Sequence, residues 1–389
     1  MLSTLVSALL LVVTLTGVLP YVASSRGHLG VLSDGSPGDH LLMMERFHGW
    51  MAKHGRSYPT VEEKLRRFDI YRRNVMFIEA ANLDGRLTYT LGENQFTDLT
   101  HEEFLAKHTS RPVAPSDLAR NEEEILITTR AGVVEEAKCK AAPDDVPRSI
   151  NWTDRGKVTK VKDQGHICGA CWAFAAVATI ESAYAIAKGV EPPVLSEQEL
   201  IDCDQFDDGC RVGLMSNAYQ WVQRNGGIAN ASTYPYHERL QTSQNKEKDG
   251  TCEEAKLREH AVTIRRYKYV RGNCEEQLMA AVAARPVAVL FDAHNYCFQH
   301  YESGVFDSMC IDKDDHKKLV GPCTSDHLTH SMAIVGYSGK GNDVGKYWIA
   351  KNSWGDYWWG EEGYIRLKKD VADPRGLCGL AIEPVYPIV

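Results

Sequence analysis

Cys168-Gly169-Ala170-Cys171-Trp172-Ala173-Phe174 is the stretch on which the reading of this chain turns. Small and apolar residues continue without a proline from Ala170 to Lys188, and Gly189 stands where a helix would end in the left-handed conformation. The pattern predicts one long helix with Cys171 in its first turn. Unsatisfied N–H groups and the helix dipole favour an anion at that position. The thiolate is the nucleophilic form of cysteine, and a neighbouring imidazolium would favour it further. Taken alone, Cys171 could equally be a small buried residue or half of a disulfide; partners elsewhere decide.

A nucleophilic thiol needs a base, and the base needs a third group to orient it. Two histidines compete in Asp326-His327-Leu328-Thr329-His330-Ser331, ahead of the strand-like run Met332 to Tyr337. Lys351-Asn352-Ser353-Trp354-Gly355 follows another strand-like run, Tyr347 to Ala350. An Asn side chain there can fix one imidazole tautomer, and Trp354 can cover that bond. These segments, in the order Cys, His, Asn, resemble the papain-like cysteine proteases, whose patterns are C-G-[SA]-C-[WY] and N-S-W-G. In that family the catalytic histidine stands seven residues before the Tyr of V-G-Y, which here is Tyr337 and selects His330. The resemblance also implies oxyanion donors from the Cys171 N–H and the Gln164 side chain.

The chain departs from the family in three places. Two residues, His166 and Ile167, separate Gln164-Gly165 from Cys168-Gly169 where one is usual. Trp354 to Gly360 carries one residue more than W-G-x-x-W-G. The interval from Cys171 to His330 is long, and the excess falls in polar stretches at about 238–250 and 307–320, where surface insertions cost little entropy.

Composition sets outer bounds. The chain has 389 residues, 43% of them hydrophobic and 25% charged, with a net charge of −8, which argues against a nucleic-acid partner. Glu122-Glu123-Glu124 reads as a solvated run. Residues 4–19 are almost wholly apolar and Ala23-Ser24-Ser25 follow, so residues 1–24 read as a signal peptide despite lacking a preceding Lys or Arg. The run is short of the ~20 residues a span needs, and nothing later is long or apolar enough. The expected route is secretory, towards a vacuole or lysosome-like compartment or the exterior. Asn151-Trp152-Thr153 and Asn230-Ala231-Ser232 are glycosylation sequons.

Apolar residues recur at helical spacing in 40–82: Phe47, Trp50, Met51, then Phe68, Tyr71, Val75, Ile78. Two long helices are expected there. Glu63, Arg67, Tyr71, Asn74, Ile78 and Asn82 form one stripe and fit the E-x3-R-x3-F-x2-N-x3-I-x3-N pattern of cathepsin L-like propeptides, with Tyr for Phe; Gly92, Asn94, Phe96 and Asp98 fit G-x-N-x-F-x-D. Residues 40–110 are therefore expected to form a helical inhibitory pro-domain. Residues 111–143, with Pro112 and Pro115, read as a linker. Residues 144–389, helix-rich and then strand-rich from 286 onward, are the expected peptidase. A second helix is expected near 275–284. The fold class is α+β, and the resemblance gives it two lobes, one helical and one barrel-like. The segment after the pro-domain is expected to lie through the cleft and to loosen in acid as paired carboxylates protonate.

Eleven cysteines in a secreted chain predict disulfides with one left over. The resemblance implies Cys168–Cys210, Cys203–Cys252 and Cys323–Cys378, leaving Cys171 free. Cys139, Cys274, Cys297 and Cys310 stay unassigned, with Cys297–Cys310 open as a pair and Cys139 expected to leave with the linker. The resemblance also lines the pocket for the second substrate residue before the cut with Leu214, Met215, Leu290, Ser331 and Glu383, apolar walls over an acid that could accept a basic side chain. Val212 should narrow the neighbouring site, while Gly213 leaves room for backbone approach. Trp354 borders the other side. The expected partners are protein and peptide substrates, the chain's own propeptide and cystatin-like inhibitors, around a monomer; no cofactor or metal is implied. The rival readings are a catalytically silent homologue serving as a binding or storage protein, helped by the extra residue before Cys168, and a peptide ligase.

Overall fold

The computed structural model describes residues 37–118, 139–140, 142–237, 251–321 and 323–389. The expected signal peptide, the acidic run at 122–124 and the polar insertion 238–250 lie outside the described residues. The N-terminal part is a helical hairpin, α1 (Pro37–Lys53) and α2 (Val61–Asp84), closed over Met43, Phe47, Trp50, Phe68, Tyr71 and Val75. Thr60 starts α2 by accepting from the Glu63 N–H at 3.1 Å, and Gly85 at φ 72° ends it. A short strand β1 (Tyr89–Leu91) leads to α3 (His101–His108), whose start is a capping box between Thr100 and Glu103.

The stripe on α2 is more than core packing. Arg67 reaches Glu63 at 2.7 Å, Glu103 at 2.7 Å and the Asp98 carbonyl at 2.9 Å. Asn74 donates to the Thr97 and Leu99 carbonyls, and Asn82 brackets Leu91 through both its side-chain groups. The helix thereby clamps the segment 91–99 polar group by polar group.

The remainder is β2 (Ser149–Asn151), α4 (Cys171–Lys188), α5 (Glu197–Cys203), α6 (Met215–Asn225), β3 (Arg266–Tyr269), α7 (Glu275–Ala284), β4 (Val287–Phe291), α8 (Tyr296–Gln299), β5 (Tyr301–Phe306), β6 (Cys310–Ile311), β7 (Leu319–Val320), β8 (His330–Ser338), β9 (Tyr347–Lys351), β10 (Tyr364–Lys368) and β11 (Val385–Ile388). The main sheet runs β1-β5-β10-β9-β8-β4-β11-β3, with β2 also on β8. One apolar cluster surrounds α4 to α6 and includes Trp172, Ile180, Leu200 and Tyr219. The other lies on the sheet around Phe298, Tyr337, Trp348 and Trp359. The two lobes meet where α4 packs on β8.

The N-terminal part is stitched into the second lobe. Strand β1 adds antiparallel to the sheet edge at β5, pairing Tyr89 with Gly304. The insertion at 307–320 forms the hairpin β6–β7, and Arg86 donates to the His316 and Lys317 carbonyls at its tip. Strand pairing also places the site. Phe291 stands opposite His330 and Ala333 opposite Lys351, so Asn352, just past β9, arrives beside the start of β8.

Candidate active site

Cys171 opens α4 and is fully buried. Ala170 gives no side-chain cap, so the first-turn N–H groups stay directed at the thiol, and the Trp172 N–H reaches the sulfur. His330 opens β8, also fully buried, and its Nε2 lies 2.8 Å from Asn352 Oδ1. The Ser353 N–H donates to the same Oδ1 at 2.8 Å. A backbone N–H can only donate, so that atom is the oxygen, and Nε2 of His330 must carry a proton. Nδ1 is then the basic nitrogen, and no described residue satisfies it. The Trp354 ring covers the pair at 4.8 Å from the imidazole. His327 is exposed in the preceding loop.

Gln164 is buried and held on all sides. Its Oε1 accepts from the Ser353 hydroxyl at 2.6 Å, and its Nε2 donates to the Cys168 carbonyl at 2.9 Å and to the His108 carbonyl at 3.3 Å. Tyr236 O–H donates to the Gln164 carbonyl at 2.7 Å. The 164–168 loop bends at His166 and Ile167, after Gly165 at φ 78°, whose N–H bonds to Asp163. In 354–360, the stretch with the second additional residue, Trp358 lies against the His54 ring of the N-terminal part at 4.5 Å.

A segment of the chain's own N-terminal part fills the cleft. Ser110 N–H donates to Thr329 O at 2.7 Å, Arg111 N–H to Arg211 O at 2.8 Å, and Val113 and Leu328 exchange both backbone bonds. Ser110 reaches the Cys171 thiol. A Cβ on Gly169 would meet the Thr109 carbonyl at 2.7 Å and the Cys210 carbonyl at 2.9 Å, so only glycine admits this strand.

Covering has an electrostatic consequence for this pair. Burial pushes the Cys171 thiol up, against weaker help from Ser331 and Ser110. Burial also pulls His330 down to about 4, only partly offset by Asn352. In the covered state the pair is therefore thiol and neutral imidazole, not thiolate and imidazolium: desolvation outweighs the helix end.

Residues 146–388 match the description "Papain family cysteine protease", and residues 47–104 match "Cathepsin propeptide inhibitor domain (I29)". The chain belongs to the papain family of cysteine proteases. It is a cysteine endopeptidase made as a zymogen with its own inhibitory domain. Ananain of Ananas comosus is 41% identical over 89% of this chain and 88% of that protein. Senescence-specific cysteine protease SAG12 of Arabidopsis thaliana is 39% identical over 91% and 92%. Among solved structures, a recombinant stem bromelain precursor covers 90% of this chain and 99% of its own at 39% identity, TM-score 0.71. The proform of the ragweed pollen protease Amb a 11 covers 94% and 98% at 32% identity, TM-score 0.72.

The papain-family frame carries five disulfides among the described residues: Cys168–Cys210, Cys203–Cys252, Cys323–Cys378, Cys297–Cys310 and Cys139–Cys274. Cys171 stays free. The last pair corrects the expectation for Cys139: it is bonded into the peptidase at the start of α7. Leu214, Met215 and Leu290 share one apolar cluster with Val113 and Leu118 of the blocking segment. Ser331 faces the thiol, while Glu383 is half-buried beside Tyr267 and Tyr269 and pushed up to about 7 by burial. Gly213 has a reason other than substrate approach, because a Cβ there would lie 2.3 Å from the Trp172 ring. Asn230 is exposed, and Asn151 is half-buried in β2. Sequence reading missed Ser353, His108 and Ser110. Ser353 alone carried a signal, as the neighbour of Asn352 in the same motif.

Proposed function

We propose that Cys171 is the nucleophile, His330 its base, Asn352 the orienter, and Gln164 with the Cys171 N–H the oxyanion donors of peptide-bond hydrolysis. The observation that carries this reading is the 2.8 Å His330–Asn352 bond, whose acceptor is fixed by the Ser353 N–H, so that Nδ1 is left basic. In the reaction Nδ1 takes the thiol proton, the sulfur attacks the peptide carbonyl, and the imidazolium returns the proton to the leaving amine. Water then opens the acyl-enzyme by the same base. The oxyanion would take the donor from Gln164 Nε2 that the His108 carbonyl occupies in the zymogen.

Removal of the blocking segment would return water to the thiol, lower its pKa and permit the thiolate–imidazolium pair. The preferred substrate is a peptide with an apolar second residue before the cut, seated on Leu214, Met215 and Leu290. Glu383 at the same pocket is neutral below pH of about 7, which favours apolar over basic side chains in acid. Residues 40–110 act as the inhibitory unit, 111–143 as the activation segment and 144–389 as the monomeric enzyme. A secretory route to a vacuole-like or extracellular destination suits the disulfides and the exposed sequon at Asn230, and cystatin-like inhibitors suit the cleft.

The test is acid activation of the purified zymogen, then titration of the active thiol and assay with fluorogenic peptides. Wild-type protein gains one fast-reacting thiol together with activity, and Cys171→Ala gains neither. An activated wild-type protein without a fast thiol at mildly acidic pH would sink the mechanism and leave the silent-homologue reading.

A further inference from the structure

The wall Gly213–Met215 hangs on a side chain from the loop before it. Asp207 Oδ1 accepts from the Leu214 N–H at 3.0 Å and from the Asn217 side chain at 2.9 Å. Leu214 is the residue that starts α6 and has no capping side chain of its own. Asp207 holds the N–H of that N-cap residue itself and the Asn217 side chain in the first turn, and so sets where the wall stands.

Asp204 lies across the same loop, its Oδ1 accepting from the Phe206 N–H at 2.8 Å. The remaining oxygens, Asp204 Oδ2 and Asp207 Oδ2, are both buried and receive no donor from the described residues. The two side chains are close enough to hydrogen-bond to each other. Two carboxylates in one buried space do not both ionise; one proton held between them satisfies both stray oxygens.

The surrounding charges do not replace that proton. Arg211 pairs with Asp208 at 3.4 Å, and Arg224 of α6 lies over the Phe206 ring at 4.7 Å. Asp202 of α5 takes bonds from Gln198 and Tyr234. Burial and the neighbouring Asp204 push Asp207 up to about 8, and burial lifts Asp204 as well. The loop is pinned at both ends by Cys203–Cys252 and Cys168–Cys210, so it cannot simply swing out to hydrate the pair.

We propose that Asp207 is a positioning residue for substrate binding: sharing one proton with Asp204, it fixes the Gly213–Met215 wall, and loss of that proton slackens the wall. This rests on the reading that the wall seats the second substrate residue before the cut. The effect falls on KM, because the wall touches the substrate side chain and not the reacting atoms.

The experiment uses the matured enzyme with two peptides, Leu or Gly at that substrate position, assayed from pH 5.5 to 9 with the active thiol titrated in each preparation. Wild-type KM for the Leu peptide rises several-fold above pH of about 7.5, with kcat per titrated thiol changing much less. Asp207→Asn accepts from Leu214 as before and donates to Asp204 without a titratable proton, so its KM rises clearly less than that of the wild type over that range. Asp207→Ala raises KM several-fold even at pH 5.5. Glu383 titrates in every variant, so the difference between wild type and Asp207→Asn reads Asp207 alone. Leu and Gly peptides with equal KM in the wild type would overturn the pocket reading and this proposal together. A clear preference for Leu, with Asp207→Asn following the wild-type pH profile, would overturn the proposal and leave the pocket. If Asp207→Ala does not fold, Asp207→Asn decides by itself.

Discussion

At the scale of single residues, the site depends on one amide that cannot flip. The Ser353 N–H names the Asn352 oxygen, the oxygen fixes the His330 tautomer, and Trp354 keeps water from the bond. Removing the amide leaves a buried Nε2–H without an acceptor, at a cost of about 1–3 kcal/mol. With ~1.4 kcal/mol per factor of ten, Asn352→Ala should lower kcat about tenfold to a hundredfold. KM should barely move, because Asn352 touches no substrate. The check is kcat and KM per titrated thiol; a variant that loses only KM would contradict the orienting role. The residues of this relay were legible in the sequence because C-G-A-C-W and N-S-W-G are contiguous motifs. The Ser353–Gln164 bond, Ser110 over the thiol and the carboxyl pair were not, since each joins residues far apart in the chain or depends on loop geometry that no periodicity encodes.

At the scale of elements, the pro-domain is held by two sets of titratable groups with different acid responses. Glu63 is held down at about 2 by Arg66 and Arg67. Burial raises Glu103, but the hydrogen bonds and charge of Arg67, the Thr100 N–H and Arg66 together outweigh it and lower the carboxyl. Carboxylates with depressed folded-state values stabilise the fold above the unfolded value of about 4.3 and cease to do so only as pH falls towards 2. The histidines act earlier. Burial holds His54 and His330 at about 4 and His300 at about 3, and pulls His108 well below its ordinary value, with His166, Arg56 and Lys107 adding to it. Each is neutral where the freed side chain would bind a proton. The open state therefore binds more protons, and the closed state loses stability as pH falls from about 6.5 towards 4. On these shifts mild acid is expected to act first through the histidines, with the carboxylates expected from sequence responding at lower pH. His108 is the most telling of them, buried on Gln164 with its ring 5.5 Å from His166. His108→Phe keeps an aromatic ring and removes the titration, so activation at pH 5 should slow and its onset should move to lower pH. The time course of peptidase activity at several pH values tests this; an unchanged onset would assign the trigger elsewhere.

At the scale of the whole molecule, the Cys139–Cys274 bridge gives every activating cut a covalent consequence. The inhibitor-domain match ends at residue 104 and the peptidase match begins at residue 146, with Cys139 between them. A cut before Cys139 frees the pro-domain but leaves a tail bonded to Cys274 at the start of α7. A cut between 140 and 146 separates the backbone yet leaves the pro-domain hanging from the enzyme by sulfur. Held that way, the blocking segment stays at a high effective concentration, on the order of millimolar for a short flexible connection, and continues to compete with substrate. Release then needs a thiol reductant, which takes the disulfide to two cysteines and is itself oxidised. For a cut after Cys139, the expectation is that matured enzyme, run without reductant, carries a Cys139-containing peptide that disappears on reduction. For cuts after residue 140, Cys139→Ser should reach full activity in weak reductant, whereas the wild type needs stronger reduction to match it. Comparing the two variants separates this bridge from the need to keep Cys171 reduced, which they share. Identical masses for the wild-type enzyme with and without reductant, after correction for the five bridges, would mean that no cut leaves anything attached through Cys274.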